Sequence, residues 1–249
     1  MKTSAKREPY VEIISDAEGL AHRVLEVFVA EAEKTIKSKG VFRVAISGGH
    51  TPRRFFELLG QTPKALRWEK IQLFWVDERY VPPDSQWSNY KLAVDNFLEK
   101  VAIPKENVHR IPTEHSDFAV AAREYEESIR KAFGLKKKQI PQFDLIMLGM
   151  TDDGHMGSLF ANSFASLDDD NLACVVYVLD EKLNRITLTH PVLRAAARLI
   201  VMVSGEEKAQ TLKKVLTDEP DEVKYPIHAL WPVLDRVTWL VDSKAAKCL

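Results

Sequence analysis

The residues best suited to chemistry lie in one stretch, Leu148-Gly149-Met150-Thr151-Asp152-Asp153-Gly154-His155-Met156-Gly157-Ser158-Leu159-Phe160. Asp153 and His155 share a Gly-rich turn that closes an apolar run and is expected to lead into a short helix. Imidazole titrates nearest physiological pH, so it can take a proton from water, and a carboxylate close by can orient it. A loop His with no role fits the same residues. The glycines around His155 and the strand end before it favour the chemical reading. The remaining histidines, His22, His50, His109, His115, His190 and His228, lack that setting, although His50 falls inside a second candidate segment. Asp152, Asp153 and His155 crowd one turn without a His-x-x-x-His or Glu-x-x-His partner, so neither a metal nor a cofactor is expected.

The second segment, Ser47-Gly48-Gly49-His50-Thr51-Pro52, also follows an apolar run and opens a helix. Paired glycines let backbone approach a ligand, Thr51 suits a helix N-cap and Pro52 the first turn. Free N–H groups at a helix start favour an anion, so this is a candidate phosphate loop, although a plain strand-to-helix turn would look the same. It matches neither the P-loop nor the dinucleotide fingerprint, so no nucleotide is inferred. The third segment is Trp75-Val76-Asp77-Glu78-Arg79-Tyr80-Val81-Pro82, with Ser88-Asn89 soon after. Charges after a strand are usually solvated loop. An Asp paired with an Arg nevertheless suits a sugar phosphate, the carboxylate accepting hydroxyl protons and the guanidinium gripping phosphate or carbonyl oxygens.

What positions these segments is a set of short apolar runs at residues 41–47, 71–77, 143–149, 173–179, 199–204 and 237–242, each read as a buried strand. Helical spacing falls between them at 17–37, 52–59, 89–98, 119–133 and 206–216. The alternation predicts an α/β fold: a Rossmann-like, doubly wound, mostly parallel sheet with helices on both faces. Ligands bind such sheets beyond the carboxyl ends of the strands, where all three segments fall. Polar stretches at 136–139, 168–171 and 218–224 read as surface loops, not linkers, so residues 1–249 are expected to form a single domain.

Composition narrows the partners. The net charge of -1 offers no basic excess for nucleic acid or an anionic membrane. No run approaches the roughly 18 apolar residues of a membrane span, and residues 1–10 lack the apolar core of a signal peptide. Cys174 and Cys248 read as reduced thiols. A cytoplasmic protein with a small-molecule ligand is expected.

Taken in order, the three segments resemble the 6-phosphogluconolactonase family, whose pattern runs Ser-Gly-Gly-Ser-Thr-Pro, then Asp-Glu-Arg-x-Val-Pro with Ser-Asn, then Leu-Gly-Met-Gly-x-Asp-Gly-His-Thr-Ala-Ser-Leu-Phe-Pro. The likeness continues through Arg185-Ile186-Thr187-Leu188-Thr189, Gly205-Glu206-Glu207-Lys208-Ala209 and Val237-Thr238-Trp239-Leu240-Val241-Asp242, and so covers nearly the whole chain. The resemblance implies a fold shared with glucosamine-6-phosphate deaminases and hydrolysis of a phosphorylated δ-lactone by a monomer. It matches His155 to a general base, Asp153 and Asp77 to acidic pocket residues, and Arg79 to an arginine near the substrate. Ser47, Gly48, Gly49, Thr51, Arg185 and Lys208 match positions around the phosphate. An oxyanion donor would be Arg79 or the backbone N–H after Gly154.

The chain departs from that pattern at His50 (Ser), Thr151 (Gly), Met156-Gly157 (Thr-Ala) and Ala161 (Pro). The His50 change puts one side-chain phosphate contact in doubt. Two rivals remain. A glucosamine-6-phosphate deaminase would share the Gly-Gly loop, the Asp-Glu pair and the Asp-Gly-His turn, but would continue to an Asn-Glu-Pro piece that is absent after His155. A sugar-phosphate sensor without catalysis would bind but not turn over.

Overall fold

The computed structural model describes residues 8–178 and 183–249. Residues 1–7, most of the segment expected not to be a signal peptide, and Leu179, the end of the strand expected over 173–179, lie outside the described residues. In chain order the strands are β1 (Tyr10–Ile14), β2 (Phe42–Ile46), β3 (Ile71–Trp75), β4 (Asp77–Arg79), β5 (Val108–His109), β6 (Leu145–Gly149), β7 (Ala173–Val176), β8 (Arg185–Leu188), β9 (Leu199–Val203) and β10 (Val237–Asp242). The α-helices are α1 (Ala17–Lys39), α2 (Arg53–Gln61), α3 (Asn89–Asn96), α4 (Phe118–Phe133), α5 (His190–Ala195) and α6 (Ala209–Thr217).

The main sheet runs β1-β10-β9-β6-β2-β3-β5 with every pair parallel. Its strands are apolar on both sides because both faces are covered. Neighbouring residues of β2 show this directly. Phe42 points to one face and meets Phe28 of α1 edge-on at 5.7 Å, and Phe28 in turn meets Phe55 of α2. Arg43 points to the other face, its guanidinium 5.0 Å from the Phe133 ring of α4 and its Nε bonded to the Ala132 carbonyl. Helices thus flank the sheet on both sides, the expected doubly wound arrangement. α1 starts at an Asp16 cap, whose carboxylate accepts from the Gly19 N–H at 2.7 Å, and stops at Gly40 in the left-handed region.

Three expectations need correction. The strand read over 173–179 does not join the main sheet: β7 pairs antiparallel with β8, and β8 with β4, in a second three-stranded sheet. The run read over 71–77 is divided at Val76. Its N–H reaches the Ile46 carbonyl in the main sheet, while its own carbonyl accepts from Leu188 N–H, handing the chain to the small sheet. No helix follows His155 directly; the next helical turn is a 3-10 one at Phe164–Leu167. Gly154 (φ 84°) and Gly157 (φ 56°) turn the backbone left-handed, and Met156 bridges back to Leu159 in a tight reversal instead. The edge strands β1 and β5 and the charged β4 were not anticipated.

Candidate active site

β2 and β6 lie side by side at the middle of the main sheet, and from them the strand order runs outward in opposite directions. This is the switch point where a crevice opens beyond the strand ends. Ser47, Gly48, Gly49 and Thr51 follow β2, His155 follows β6, Asp77 and Arg79 are β4, Arg185 begins β8, and Lys208 lies just past β9. All of them line one cleft. Asp153 stands behind His155.

The loop after β2 is shaped by its glycines. A Cβ on Gly48 would sit 2.0 Å from Asn89 Oδ1, so only glycine lets the loop pass the start of α3, and Gly49 has φ 100°. Ser47 is buried and its hydroxyl has no partner among the described residues. Thr51 is not the helix cap expected of it. Pro52 occupies the cap position of α2 without a side-chain bond, and the Thr51 hydroxyl accepts from Lys208 Nζ at 3.3 Å. Burial lowers the pKa of the Lys208 amine while the carboxylates of Glu207, Asp152 and Asp242 act to raise it. None of those carboxylates is within ion-pair distance, so this half-buried cation faces the loop glycines.

β4 and β8 bring two guanidiniums together. Their antiparallel register sets Arg79 opposite Arg185 and Asp77 opposite Thr187. Like charges directly across a ladder repel, so the pairing favours an anion between or beside them. Arg79 donates Nη1 to the Trp87 carbonyl at 2.9 Å, and its buried Nε has no partner among the described residues. Arg185 lies over the Phe160 ring at 5.3 Å. Between these arginines and the β2 loop, buried Asp77 accepts from the Ser158 hydroxyl at 2.6 Å. That bond ties the loop carrying His155 to the loop carrying Arg79. Neighbouring Glu78 points away from the cleft and takes bonds from the backbone N–H groups of Arg79, Asn89 and Tyr90 and from the Ser88 hydroxyl. Burial pushes its carboxyl up to about 7 against these donors.

His155 Nδ1 lies 2.7 Å from Asp153 Oδ1 and 2.9 Å from the Thr151 hydroxyl. The bond from His155, with the Thr151 hydroxyl adding to it against partial burial, holds the Asp153 carboxyl well below its ordinary value. A charged carboxylate on Nδ1 selects the tautomer with the proton there, assigned from the bonding pattern, and leaves a lone pair on Nε2. Nε2 has no hydrogen bond among the described residues, and the ring leans on Phe160 at 4.3 Å. The N–H after Gly154, one of the two expected oxyanion donors, is not free: it points inward to Thr151 Oγ1 at 3.1 Å and Asp153 Oδ1 at 3.3 Å. Arg79 is the expected donor that still faces the cleft.

Residues 15–239 match the family described as glucosamine-6-phosphate isomerases/6-phosphogluconolactonase. The chain belongs to this family. A 6-phosphogluconolactonase of Nostoc sp. is 36% identical over 236 residues, covering 94% of this chain and 96% of the relative. One from Synechocystis sp. is 34% identical over 241 residues, covering 97% and 98%. The crystal structure of the Thermotoga maritima 6-phosphogluconolactonase superposes with a TM-score of 0.80 at 30% identity, covering 94% of this chain and 99% of that one.

Two of this member's departures from the family pattern have a local reason. With φ 56°, a Cβ at Gly157 would be strained and would sit 3.1 Å from both Thr187 Oγ1 and Val76 Cγ1. Thr151 supplies a hydroxyl at the hub of the His155 turn. His50 lines the cleft from an exposed position, and Ala161 is exposed beyond it. Three residues escaped the sequence reading of the site: Asn89, whose Nδ2 donates to the Asp77 carbonyl at 2.9 Å, Ser158 and Thr151. The Ser-Asn pair after Arg79 was the available signal for Asn89. Among the described residues there is no group of three or more His, Cys, Asp or Glu placed to hold a metal. No helix among them is long and apolar enough to cross a membrane.

Proposed function

We propose that this family member is a 6-phosphogluconolactonase of the oxidative pentose phosphate pathway. It hydrolyses 6-phospho-D-glucono-1,5-lactone to 6-phospho-D-gluconate as a cytoplasmic monomer whose whole chain works as one catalytic domain. The observation that carries the reading is His155 Nε2, bare in the same cleft as Arg79, Arg185 and Lys208 while Nδ1 is held by Asp153.

The C6 phosphate docks on the Ser47, Gly48, Gly49 and Thr51 loop at the start of α2, with Lys208 and Arg185 as cations. That fixes the lactone ring with C1 near His155. Nε2 takes a proton from water as the water oxygen bonds to C1, and the carbonyl electron pair moves onto its oxygen, beside Arg79. When the carbonyl re-forms, the C1–ring oxygen bond breaks. The ring oxygen leaves as the C5 hydroxyl and takes the proton back from His155. Asp77 keeps its loop and the His155 loop in register through Ser158. No covalent intermediate and no metal is required.

The reading is tested by the turnover of freshly generated lactone near neutral pH, coupled to a 6-phosphogluconate dehydrogenase and corrected for spontaneous hydrolysis. A rate well above background is expected. Deamination of glucosamine 6-phosphate by the same preparation, with no lactone turnover, would move the chain to the other branch of its family. Binding of 6-phosphogluconate with neither activity would make it a sensor.

A further inference from the structure

Thr151 stands where the family pattern quoted above has glycine, so whatever its side chain does is a feature of this chain and not of the pattern. Its backbone already closes the turn: Thr151 N–H donates to the His155 carbonyl at 3.2 Å, and the Thr151 carbonyl accepts from Gly154 N–H at 3.2 Å. The side chain adds a second set of contacts. Oγ1 lies 3.1 Å from His155 N, 2.9 Å from His155 Nδ1, 3.1 Å from the His155 carbonyl oxygen and 2.5 Å from Asp153 Oδ1.

A hydroxyl has one hydrogen to give and two lone pairs. His155 N–H can only donate, so it takes one lone pair. The shortest contact, to a charged carboxylate, takes the hydrogen. Asp153 Oδ1 then receives both the Thr151 hydroxyl and Nδ1–H of His155. The Asp153 side chain is 60% exposed and on its own would sample several rotamers. The hydroxyl holds the carboxylate on the Nδ1 side of the ring. Without it, the remaining ties both come from His155: Nδ1–H itself at 2.7 Å and the longer backbone N–H contact at 3.3 Å.

We propose that Thr151 is a positioning residue: its hydroxyl clamps Asp153 onto His155 Nδ1 and so keeps the Nε2 lone pair facing the cleft. The inference rests on the reading of His155 as the base. Phe160 backs the ring at 4.3 Å and leaves its tilt to be set by the Nδ1 side. Thr151 lines the same cleft as the β2 loop and Lys208 but makes no hydrogen bond to either.

The test compares Thr151→Val, which keeps the shape and removes the hydroxyl, with Thr151→Ser, which keeps the hydroxyl. Imidazole 15N chemical shifts of His155 in the full-length protein read the tautomer directly. Nδ1–H is expected to dominate in the wild type and in Thr151→Ser, and to give way to a mixture with Nε2–H in Thr151→Val. In the lactone assay kcat of Thr151→Val should fall about 10-fold, KM should stay within about 2-fold, and Thr151→Ser should recover most of kcat. A Thr151→Val protein with the wild-type tautomer and kcat would overturn the proposal. So would a loss in KM alone, or a loss that serine fails to rescue. The two readings fail separately. If His155→Ala kept its activity, the base assignment would fall while the tautomer shifts still judged the clamp.

Discussion

Gly48→Ala tests the closest approach in the site. The new methyl carbon would lie 2.0 Å from Oδ1, 2.2 Å from Cγ and 2.8 Å from Cβ of Asn89. Asn89 cannot easily retreat. It is 2% exposed, its N–H donates to Glu78 at 2.7 Å, and its Nδ2 donates to the Asp77 carbonyl at 2.9 Å. Making room breaks the Asp77 bond and leaves a buried carbonyl unpaired, worth about 1–3 kcal/mol. Overpacking adds about 1–3 kcal/mol if the loop moves instead. Either route costs about 1–3 kcal/mol, which for a chain of this size lowers Tm by roughly 2–12 °C. Asn89→Ala removes the two worst clashes and keeps the contact at 2.8 Å. The double variant should therefore be no less stable than Gly48→Ala alone, although Asn89→Ala by itself costs about 1–2 kcal/mol. Thermal unfolding of the four proteins checks this, with 6-phosphogluconate added to report on the phosphate loop. A Gly48→Ala protein within about 0.5 kcal/mol of wild type, or a double variant as unstable as the sum of the singles, would refute the steric reasoning.

Further predictions concern the cations and the buried carboxylates. Lys208→Ala should raise KM for the lactone by roughly 10- to 100-fold, the value of a charge-assisted contact, and change kcat far less; steady-state kinetics with a loss confined to kcat would count against its phosphate role. Ser158→Ala leaves the buried Asp77 oxygen without the donor now at 2.6 Å and should cost about 1–3 kcal/mol in chemical denaturation, with kcat falling as the two loops lose their tie. Glu78 titrates at about 7 in the folded chain, above an ordinary carboxyl, so the folded state holds a proton that the unfolded state has released. Stability should therefore fall as pH rises through about 5 to 7, and fall less in Glu78→Gln; denaturation curves with the same pH slope in both proteins would contradict this.

The main sheet was legible because its long strands are nearly continuous apolar runs, and such runs need cover on both faces. β1 and β5 were not, the first because Glu12 interrupts it and the second because it is two residues long. β4 reads as Asp-Glu-Arg, which looks like solvated loop until β8 is placed across from it. Of the small sheet only β7 reads as a strand, without its partners, and Arg185 entered only through its likeness to a family motif. Candidate chemical residues were easier to read than the residues that contact them. His155 and Asp153 announce themselves by type and spacing, whereas Ser158 acts across the fold on Asp77, 81 residues away. Thr51 was misassigned for a related reason: a hydroxyl before Pro looks like a helix cap, but the half-buried amine of Lys208 is the nearer partner.

The central claim is that His155 carries the proton while Lys208 and Arg185 hold the phosphate. Its most direct test is kcat of His155→Ala measured beside the affinity of the same variant for 6-phosphogluconate. A fall in kcat of roughly 10²- to 10⁴-fold is expected, with binding close to wild type. Near-wild-type turnover, or binding lost along with activity, would contradict it.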